Sequence, residues 1–517
     1  MRRLLSLLLL ACLALALPGC GEEAFPDPSP SPSAAPSASP SQAPERTQFS
    51  LAYDPGASLH PLTGESQTNQ DLTGLVYQGL YELDNEFVPR PVLAASGAPG
   101  ADGYSWTFAI KQGVVFSDGT PLTAQHAAAS LNTARAGGPY AARLAGITGV
   151  TADEAALTVY LSAPNGNLPA LLDIPVVLEG EPGTAPLGTG YYQYEPAGDR
   201  LYLRTNPHHA GGAALPYAAI PLTAASTANE RIAAFDSGAV TAVTTEFSSP
   251  YALGYAGSYE TCDYPTTSLL YMGFKASGGP CQSALVRQAF SRAFDRESLV
   301  QVGLSGHGDA ACLPISPVHA EYDQATADLL GYDMEQAADR LAQAGYQRGE
   351  EDNLLYRRRT PLSVTVLVNS DNESRQAAAD ALAASLTQLG VTVTVDTLPW
   401  DNYVQALAGG RFDIYIGEVR LTGDFDPSPL LTGALNYGGY SDWELTQALG
   451  AWKSAQGEAR TQAAKTLWAK FAQDAPIAPL CFKRGSLLVR WGMASNLQPT
   501  RANPFYRMEE WSTTSQS

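Results

Sequence analysis

The stretch PLSVTVLVNSDNESRQAAADALAASLTQLGVTVTVDTL, residues 361–398, decides the fold class. Its β-branched ends and its Ala- and Leu-rich middle predict a strand, a helix and a second strand. A helix over 401–410 and a strand over 412–419 are predicted next. Gly390 and Gly409 stand where helix C-caps favour glycine. This alternation predicts a parallel sheet with right-handed crossovers, which is the α/β class.

The N-terminal half has a different pattern, in which short strands dominate. Residues 104–117, YSWTFAIKQGVVFS, alternate apolar and polar side chains and predict a half-buried antiparallel strand. Residues 47–53 and 153–164 also predict strands, and residues 71–83 place apolar residues at helical spacing. We therefore expect a mixed α+β unit ahead of the parallel α/β unit.

The first residues have the features of a targeting signal and a tether. In residues 1–19, Arg2 and Arg3 precede an apolar run that is too short to span a membrane. The run ends in Leu-Pro-Gly-Cys, which resembles a lipobox, so we expect a lipoprotein signal peptide and lipidation of Cys20; an ordinary secretory signal is the alternative. Residues 20–46 are rich in Pro, Ser and Ala, which predicts an extended linker.

The charge balance restricts the partners. The chain has 51 acidic and 31 basic residues and a net charge of −20 at pH 7. An acidic surface is repelled by nucleic acid and by anionic lipid, so we expect neither as a partner, and membrane contact only through the lipid anchor.

Four cysteines follow the predicted linker. No Cys-x-x-Cys pair occurs, so we do not expect a structural zinc site. Outside the membrane the even count permits disulfides, and free buried thiols are the alternative. If a disulfide forms, we expect it between Cys281 and Cys312, which lie before and after the predicted helix at 284–300. The four residues are Cys262, Cys281, Cys312 and Cys481.

Ser117, Asp118 and His126 lie close together in GVVFSDGTPLTAQHA (113–127), and these residue types form hydrolytic triads. However, Asp118 begins a turn dipeptide, Thr123 is a natural helix N-cap, and no Gly-x-Ser-x-Gly elbow surrounds the serine. We therefore expect a turn and a helix cap here, not a catalytic site.

Other signatures of catalysis or metal binding are weak. GHGDAA at 306–311 matches a dinucleotide fingerprint but follows a predicted helix instead of a strand. His208 and His209 are adjacent, and adjacent side chains on a strand point apart. We expect no catalytic residue, no metal ligand and no cofactor.

The block SWTFAIKQGVVFSDGTPLTAQHA (105–127) resembles the signature of the family 5 extracellular solute-binding proteins, the peptide and nickel receptors of ABC importers. His126 stands where that family usually has aspartate, which we expect to weaken the local cap. Further blocks resemble the family in the same order. They are GLVYQGLYELD, PLGTGYYQYEP, ALVRQAFSRAFDRESLV, EQAADRLAQAGY and LPWDNYVQALAGGRFDIYIGEVRLTGDFDPSP.

This resemblance implies a two-lobe periplasmic-binding-protein-like α/β fold that closes about a hinge, with an extra α+β subdomain inserted in the first lobe. We expect hinges at SLLYMGF (268–274) and IAPLCF (477–482). The expected domains are a first lobe at 47–270 with the subdomain at about 56–184, a second lobe at 271–478, and a return segment to the first lobe at 479–517.

The resemblance also implies the ligand contacts. Asp424 aligns with the aspartate that binds the α-ammonium in peptide-binding members, although a plain turn aspartate is the alternative. The backbone at Arg420 and Thr422 would pair with the peptide as an added strand. Aromatic residues near the cleft are expected to line it, with a core position as the alternative for the first two: Trp400, Tyr403, Tyr437 and Tyr440.

The expected function is that of a monomeric, lipid-anchored receptor that captures oligopeptides or dipeptides for an ABC permease with associated ATPases. Within the family, the ligand could instead be nickel chelate, haem or another solute. From other classes, a sensory or adhesive lipoprotein remains open, whereas a secreted hydrolase lacks a recognisable nucleophile and base.

Overall fold

The computed structural model describes residues 48–181, 184–209, 215–247 and 254–513. The predicted signal peptide, the predicted linker and the lipidation site at Cys20 lie outside these residues.

Short strands dominate the first half of the chain. The strands are β1 (Leu51–Tyr53), β2 (Tyr81–Leu83), β3 (Pro89–Pro91), β4 (Ala94–Pro99), β5 (Ser105–Ile110), β6 (Ile147–Ala152), β7 (Ala156–Leu161), β8 (Tyr192–Ala197), β9 (Arg200–Thr205), β10 (Ala219–Ala224) and β11 (Ala242–Thr245). The helices are α1 (Gln67–Gln70), α2 (Thr73–Val76), α3 (Ala124–Ala136) and α4 (Ala228–Ser237), with a 3₁₀ turn at Leu168–Leu171.

The second half has longer elements. Its strands are β12 (Tyr259–Phe274), β13 (Gly308–Ala310), β14 (Gln347–Arg348), β15 (Leu355–Arg357), β16 (Thr360–Pro361), β17 (Ser363–Asn369), β18 (Thr392–Leu398), β19 (Ile414–Arg420) and β20 (Ile477–Arg490). Its helices are α5 (Ala284–Arg292), α6 (Arg296–Ser298), α7 (Gln324–Asp328), α8 (Met334–Gln343), α9 (Glu373–Gln388), α10 (Trp400–Ala408), α11 (Ser428–Leu431), α12 (Trp443–Ser454) and α13 (Gly457–Asp474). A short π-helix covers Leu299–Gly303, and 3₁₀ turns cover Pro280–Gln282 and Met508–Glu510.

One sheet of eleven strands runs through both lobes, in the order β18-β17-β19-β12-β20-β11-β1-β10-β9-β8 with β13 beside β20. At one end β17 pairs in parallel with β18 and β19, and α9 and α10 are the crossover helices. The α/β class predicted from this stretch is confirmed.

Two long antiparallel strands, β12 and β20, carry the chain between the lobes. β20 pairs with β11 of the first lobe from Ser486 onward, whereas β12 pairs with β19 of the second lobe from Ser268 onward. The register of the β12–β20 ladder shifts between Pro265 and Leu269. The segments expected to be hinges, 268–274 and 477–482, therefore lie within the second lobe's sheet, and the irregular crossing point lies beside them.

The inserted subdomain is a four-stranded sheet, β4-β5-β7-β6, with α3 packed on β6 and β7. As the alternation predicts, Trp106, Phe108 and Ile110 of β5 are buried. The Nδ1 atom of His126 accepts a hydrogen bond from the backbone N–H of Thr123 at 3.1 Å. His126 thus closes a capping box at the start of α3, so the expectation of a weakened cap is wrong.

The predicted turn ahead of α3 is also present. Asp118 accepts hydrogen bonds from the backbone N–H and the hydroxyl of Thr120, both at 2.8 Å. The Ser117 hydroxyl bonds to no described residue. The hydrogen bonds therefore form a turn and a cap and do not assemble a triad.

The inserted subdomain also packs against the second lobe. Leu83, Phe87 and Ala170 belong to the same buried cluster as Phe425, which follows β19. The rings of Phe87 and Phe425 meet edge to face, with centroids 4.7 Å apart. This contact brings the loop after β19 against the first half of the chain, where the cavity lies.

Candidate functional site

A cavity of about 1170 Å³ is lined by residues of both lobes. The subdomain supplies Tyr140, Arg143 and Asn165. Arg420 at the end of β19 and four residues of the following loop line the opposite side: Leu421, Thr422, Asp424 and Asp426. The C-terminal segment lines the first-lobe side with Arg501, Ala502, Asn503, Pro504, Tyr506, Arg507 and Glu509. A volume of this size accommodates a ligand somewhat larger than a typical drug-sized molecule.

The loop after β19 is a tight turn with unusual backbone geometry. The N–H of Phe425 donates to the carbonyl of Thr422 at 3.0 Å, and Phe425 is fully buried with a φ of 54°. The left-handed region is costly for an aromatic residue. At Gly423, a Cβ atom would lie 2.6 Å from the carbonyl oxygen of Ala170. Burial of Phe425 and the close approach at Gly423 therefore hold the turn in one conformation.

Asp424 is held in this turn as a buried carboxylate without a cation. It is 5% exposed and accepts hydrogen bonds from the hydroxyl of Thr422 at 2.5 Å and from the Asn165 amide at 3.1 Å. Desolvation, followed by the nearby Asp426, raises the pKa of Asp424. Asp426 itself pairs with Lys453 at 2.5 Å. No described cation lies within ion-pair distance of Asp424; Arg460 acts on it only at longer range and lowers its pKa, opposing the effect of burial.

The backbone just before Asp424 faces an open strand edge. The N–H of Leu421 donates to Thr267 of β12 at 2.9 Å. Because hydrogen-bonding groups alternate between the two sides of a strand, the backbone groups of Arg420 and Thr422 point away from β12. On that side β17 pairs with β19 only at Ile414 and Tyr415 among the described residues. Arg420 therefore has the geometry that an added strand requires, whereas the carbonyl of Thr422 already accepts the N–H of Phe425, which leaves the Thr422 N–H as its group on this side.

The aromatic residues predicted near the cleft do not line this cavity. Tyr403 is 2% exposed, and its hydroxyl donates to the carbonyl of Ile416 at 2.7 Å. Trp400 is 50% exposed and stacks on Tyr403. Tyr437 packs edge to face on Tyr415 at 6.0 Å. Tyr440 donates to Asp474 at 2.5 Å. None of the four therefore lines this cavity, and Tyr403 has the core position given as its alternative, because α10 and the loop at 437–440 pack into the second lobe's own core or against solvent.

A cationic group on the first-lobe side was missed by the sequence analysis. Arg143 pairs with Asp173 at 2.6 Å and lies over the ring of Tyr140 at 5.0 Å. Arg501 lies in the electrostatic range of Arg143, Asp173 and Arg420. Burial, followed by repulsion from Arg143, lowers the pKa of Arg501 to about 10. No motif marks Arg501 in the sequence, because the C-terminal segment has neither helical nor strand periodicity.

An acidic pair lines the cavity as well. Desolvation raises the pKa of Glu82 to about 7; an Asn503 hydrogen bond opposes this rise, and Glu509 adds to it. The Oε2 atom of Glu509 is buried without a hydrogen-bond partner among the described residues. No sequence motif marks Glu82 or Glu509 as cavity residues, because only the fold brings positions 82 and 509 together.

The predicted disulfide between Cys281 and Cys312 is absent. Within the described chain, Cys262, Cys281, Cys312 and Cys481 are free thiols. Cys281 is fully buried in one hydrophobic cluster, whereas Cys312 packs against another. The expectation is wrong because the two loops that flank the helix enter different cores.

The described residues hold neither a metal-ligand cluster nor a membrane-spanning helix. Among the described residues, no group of three or more His, Cys, Asp or Glu side chains is arranged to hold a metal ion. In the same part of the chain, no helix is both long enough and apolar enough to cross a membrane.

Comparison with known proteins identifies the family. The model for "Bacterial extracellular solute-binding proteins, family 5 Middle" matches residues 88–442, more than half of the chain. The oligopeptide-binding protein AppA of Bacillus subtilis is 25% identical over 256 residues, which are 47% of this chain and 46% of AppA. This chain therefore aligns with about half the length of that relative. The glutathione-binding protein GsiB of Salmonella typhimurium is 24% identical over 361 residues, or 66% of this chain and 67% of GsiB.

Solved structures share the fold. MppA, a periplasmic murein tripeptide binding protein in its unliganded open form, has a TM-score of 0.73 at 20% identity, covering 92% of this chain and 99% of MppA. Other similar proteins are named for haem binding or were solved with a nickel complex. The two-lobe α/β fold is thus confirmed. The chain belongs to the bacterial extracellular solute-binding proteins of family 5.

Proposed function

We propose that this protein captures peptides with a free amino terminus outside the membrane and delivers them to an ABC permease driven by ATPase subunits. The observation that carries the proposal is Asp424, a 5% exposed carboxylate with neutral hydrogen-bond donors and no ion pair within the described chain. A buried charge without a partner is costly, so a ligand ammonium is the natural complement.

The backbone geometry supports a peptide over a compact solute. The open edge offers the main-chain N–H and carbonyl of Arg420 and the N–H of Thr422 directly before Asp424. A peptide that adds a strand here would place its amino terminus beside that carboxylate. The names of AppA and MppA, which give oligopeptide and murein tripeptide as ligands, agree with this choice.

The anchoring and partners belong to the same proposal. Lipidation of Cys20 would hold the protein at the outer face of the membrane, and the linker at 20–46 would give it reach. The protein is proposed to act as a monomer that docks on the permease when closed around its ligand.

Calorimetry with matched peptides tests the function. A mixed library of unblocked tri- to pentapeptides should yield bound species in native mass spectrometry, and a captured peptide should bind measurably. The same peptide with an acetylated amino terminus should bind far more weakly, because acetylation removes the ammonium. Binding of nickel chelate or haem with no bound peptide would reject the proposal in favour of another solute.

A further inference from the structure

The loop at 163–167 joins the inserted subdomain to the second lobe. It follows β7 and leads into the 3₁₀ turn at Leu168–Leu171. The N–H of Gly166 donates to the carbonyl of Lys453 in α12 at 2.6 Å. A Cβ atom at Gly166 would lie 1.9 Å from the carbonyl oxygen of Ala455, so glycine is required for this close approach. The loop therefore rests against the C-terminal end of α12.

Within this loop, the side chain of Asn165 is fixed in one orientation. Its Oδ1 atom accepts the backbone N–H of Asn167 at 2.8 Å, and its carbonyl accepts the indole N–H of the buried Trp106 at 2.9 Å. Because Oδ1 is engaged in the turn, the amide nitrogen is the atom that faces the second lobe, where it donates to Oδ2 of Asp424 at 3.1 Å. The donor is thus held in position by its own loop.

The two donors to Asp424 come from different parts of the molecule. The hydroxyl of Thr422 belongs to the same turn as Asp424 and bonds to its Oδ1 atom at 2.5 Å, so it moves with the second lobe. Asn165 lies 259 residues earlier in the chain, in the subdomain. Both Asn165 and Asp424 line the cavity. The carboxylate therefore has both oxygens hydrogen-bonded only while the subdomain rests on the second lobe.

We propose that Asn165 is a positioning residue that completes the amine site when the subdomain meets the second lobe. This inference rests on the proposed function and adds how the same site is regulated. Each carboxylate oxygen can accept two hydrogen bonds, so the bonds from Asn165 and Thr422 leave one position on each oxygen for a ligand ammonium. A donor to the charged form of a carboxylate also favours that form. Asn165 therefore orients Asp424 and keeps it ionised, so that closure and amine binding reinforce each other.

Removal of this donor has a defined effect on the pH dependence of binding. Burial, followed by Asp426, raises the pKa of Asp424, and the hydrogen bonds from Thr422 and Asn165 oppose this rise. Without Asn165 the pKa of Asp424 should be higher still. Since an ammonium pairs with the ionised carboxylate, binding should then be lost at a higher pH as the solution is acidified. The other charged or titratable groups around this loop are unchanged in such a variant: Asp426, Arg460, Lys453, His319 and Glu82.

The test is calorimetry of Asn165→Ala between pH 4 and pH 8, with a captured peptide and its N-acetylated form. We expect the free peptide to bind about tenfold more weakly at pH 7, which is the effect of one hydrogen bond to a charged group. The acid limb of its affinity should move up by about one pH unit. The weak binding of the acetylated peptide should not change. The backbone bonds of Asn165 and Gly166 remain in this variant, so the loop should keep its place.

Asn165→Asp separates the donor from the turn. It keeps an oxygen for the N–H of Asn167 but replaces the donor with a second carboxylate, and two adjacent carboxylates resist ionising together. Its acid limb should therefore also move to higher pH. The matched control is Asn167→Ala, the same substitution two residues later, because the Asn167 side chain forms no hydrogen bond with a described residue and the backbone N–H is retained. This variant should keep the wild-type affinity and pH profile.

The outcomes that would overturn the inference are distinct. Equal losses for the free and the acetylated peptide, with an unmoved acid limb, would mean that Asn165 has only a structural role. An acid limb that Asn167→Ala moves equally would also overturn it. If unblocked peptides bind and acetylation abolishes binding while both Asn165 variants behave like the wild type, only this inference fails. If no unblocked peptide binds, the proposed function fails with it.

Discussion

Replacing Asp424 with asparagine tests the amine site most directly. The substitution keeps the shape of the side chain and removes its charge, and the hydroxyl of Thr422 at 2.5 Å still has an oxygen to bond. In the closed cavity, a ligand ammonium would then lose its only proposed counter-charge. Leaving one partner of a buried ion pair unpaired costs about 3–5 kcal/mol. This corresponds to roughly two to four orders of magnitude in affinity.

The assay is a thermodynamic cycle, measured by calorimetry, that combines a protein substitution with a ligand modification. Asp424→Asn and N-acetylation of the peptide should each weaken binding greatly, and their combination should weaken it little further, because both changes remove the same interaction. Additive losses would mean that the two groups do not meet, and no loss from either change would remove Asp424 from the site.

Asp426→Asn is the matched control. It makes the same substitution two residues away in the same cavity, but Asp426 is already paired with Lys453 at 2.5 Å. The penalty for N-acetylation should therefore be unchanged in this variant. Thermal unfolding separates binding from folding: burial raises the pKa of Asp424, so its deprotonated form destabilises the empty protein. The amide nitrogen of the variant cannot accept the hydrogen bond that the Asn165 amide donates at 3.1 Å, and removal of the buried charge offsets this loss. Asp424→Asn should consequently unfold close to the wild-type temperature at pH 7.

Three further expectations follow from individual residues. Burial raises the pKa of Glu82 from 4.5 to about 7, so its contribution to stability is present at low pH and is lost as pH rises through about 7. The free energy of unfolding, followed by thermal melts, should therefore fall by about 3 kcal/mol as pH rises from 5 to 8. Glu82→Gln should reduce this fall, and identical pH profiles for the variant and the wild type would refute the raised pKa of Glu82. Gly423→Ala should cost about 1–3 kcal/mol of stability, because its Cβ would lie 2.6 Å from the carbonyl oxygen of Ala170, whereas Gly450→Ala in α12, with open space at its Cβ, should be neutral or stabilising by up to about 1 kcal/mol in chemical denaturation. Cys20→Ser should release the protein from the membrane fraction, since each buried methylene of a lipid anchor contributes about 0.8 kcal/mol, and retention in that fraction would exclude the lipid anchor.

The sequence by itself determined the elements whose signals are local. The β-branched and Ala-rich alternation at 361–419 predicted the parallel strands β17 to β19, and the alternation at 104–117 predicted the buried face of β5. Strand and helix periodicity depend on residues a few positions apart, so they can be identified from the sequence without knowledge of the fold. The ordered family blocks predicted the two-lobe architecture, and Asp424 with its strand edge was named from one of them.

Only the tertiary structure decided which of these residues face the cavity. Trp400 and Tyr403 have the composition of a binding surface, but α10 turns Tyr403 into the second lobe's core, and sequence alone does not give that rotation. Cys281 and Cys312 flank one helix, yet their loops enter different hydrophobic clusters. Arg501 comes from a segment without periodicity and lies near enough to Arg143, more than 350 residues earlier in the chain, for the two cations to repel each other. This proximity depends on how β20 returns to the first lobe. Contacts of such long sequence separation arise from global packing, and no local pattern encodes them.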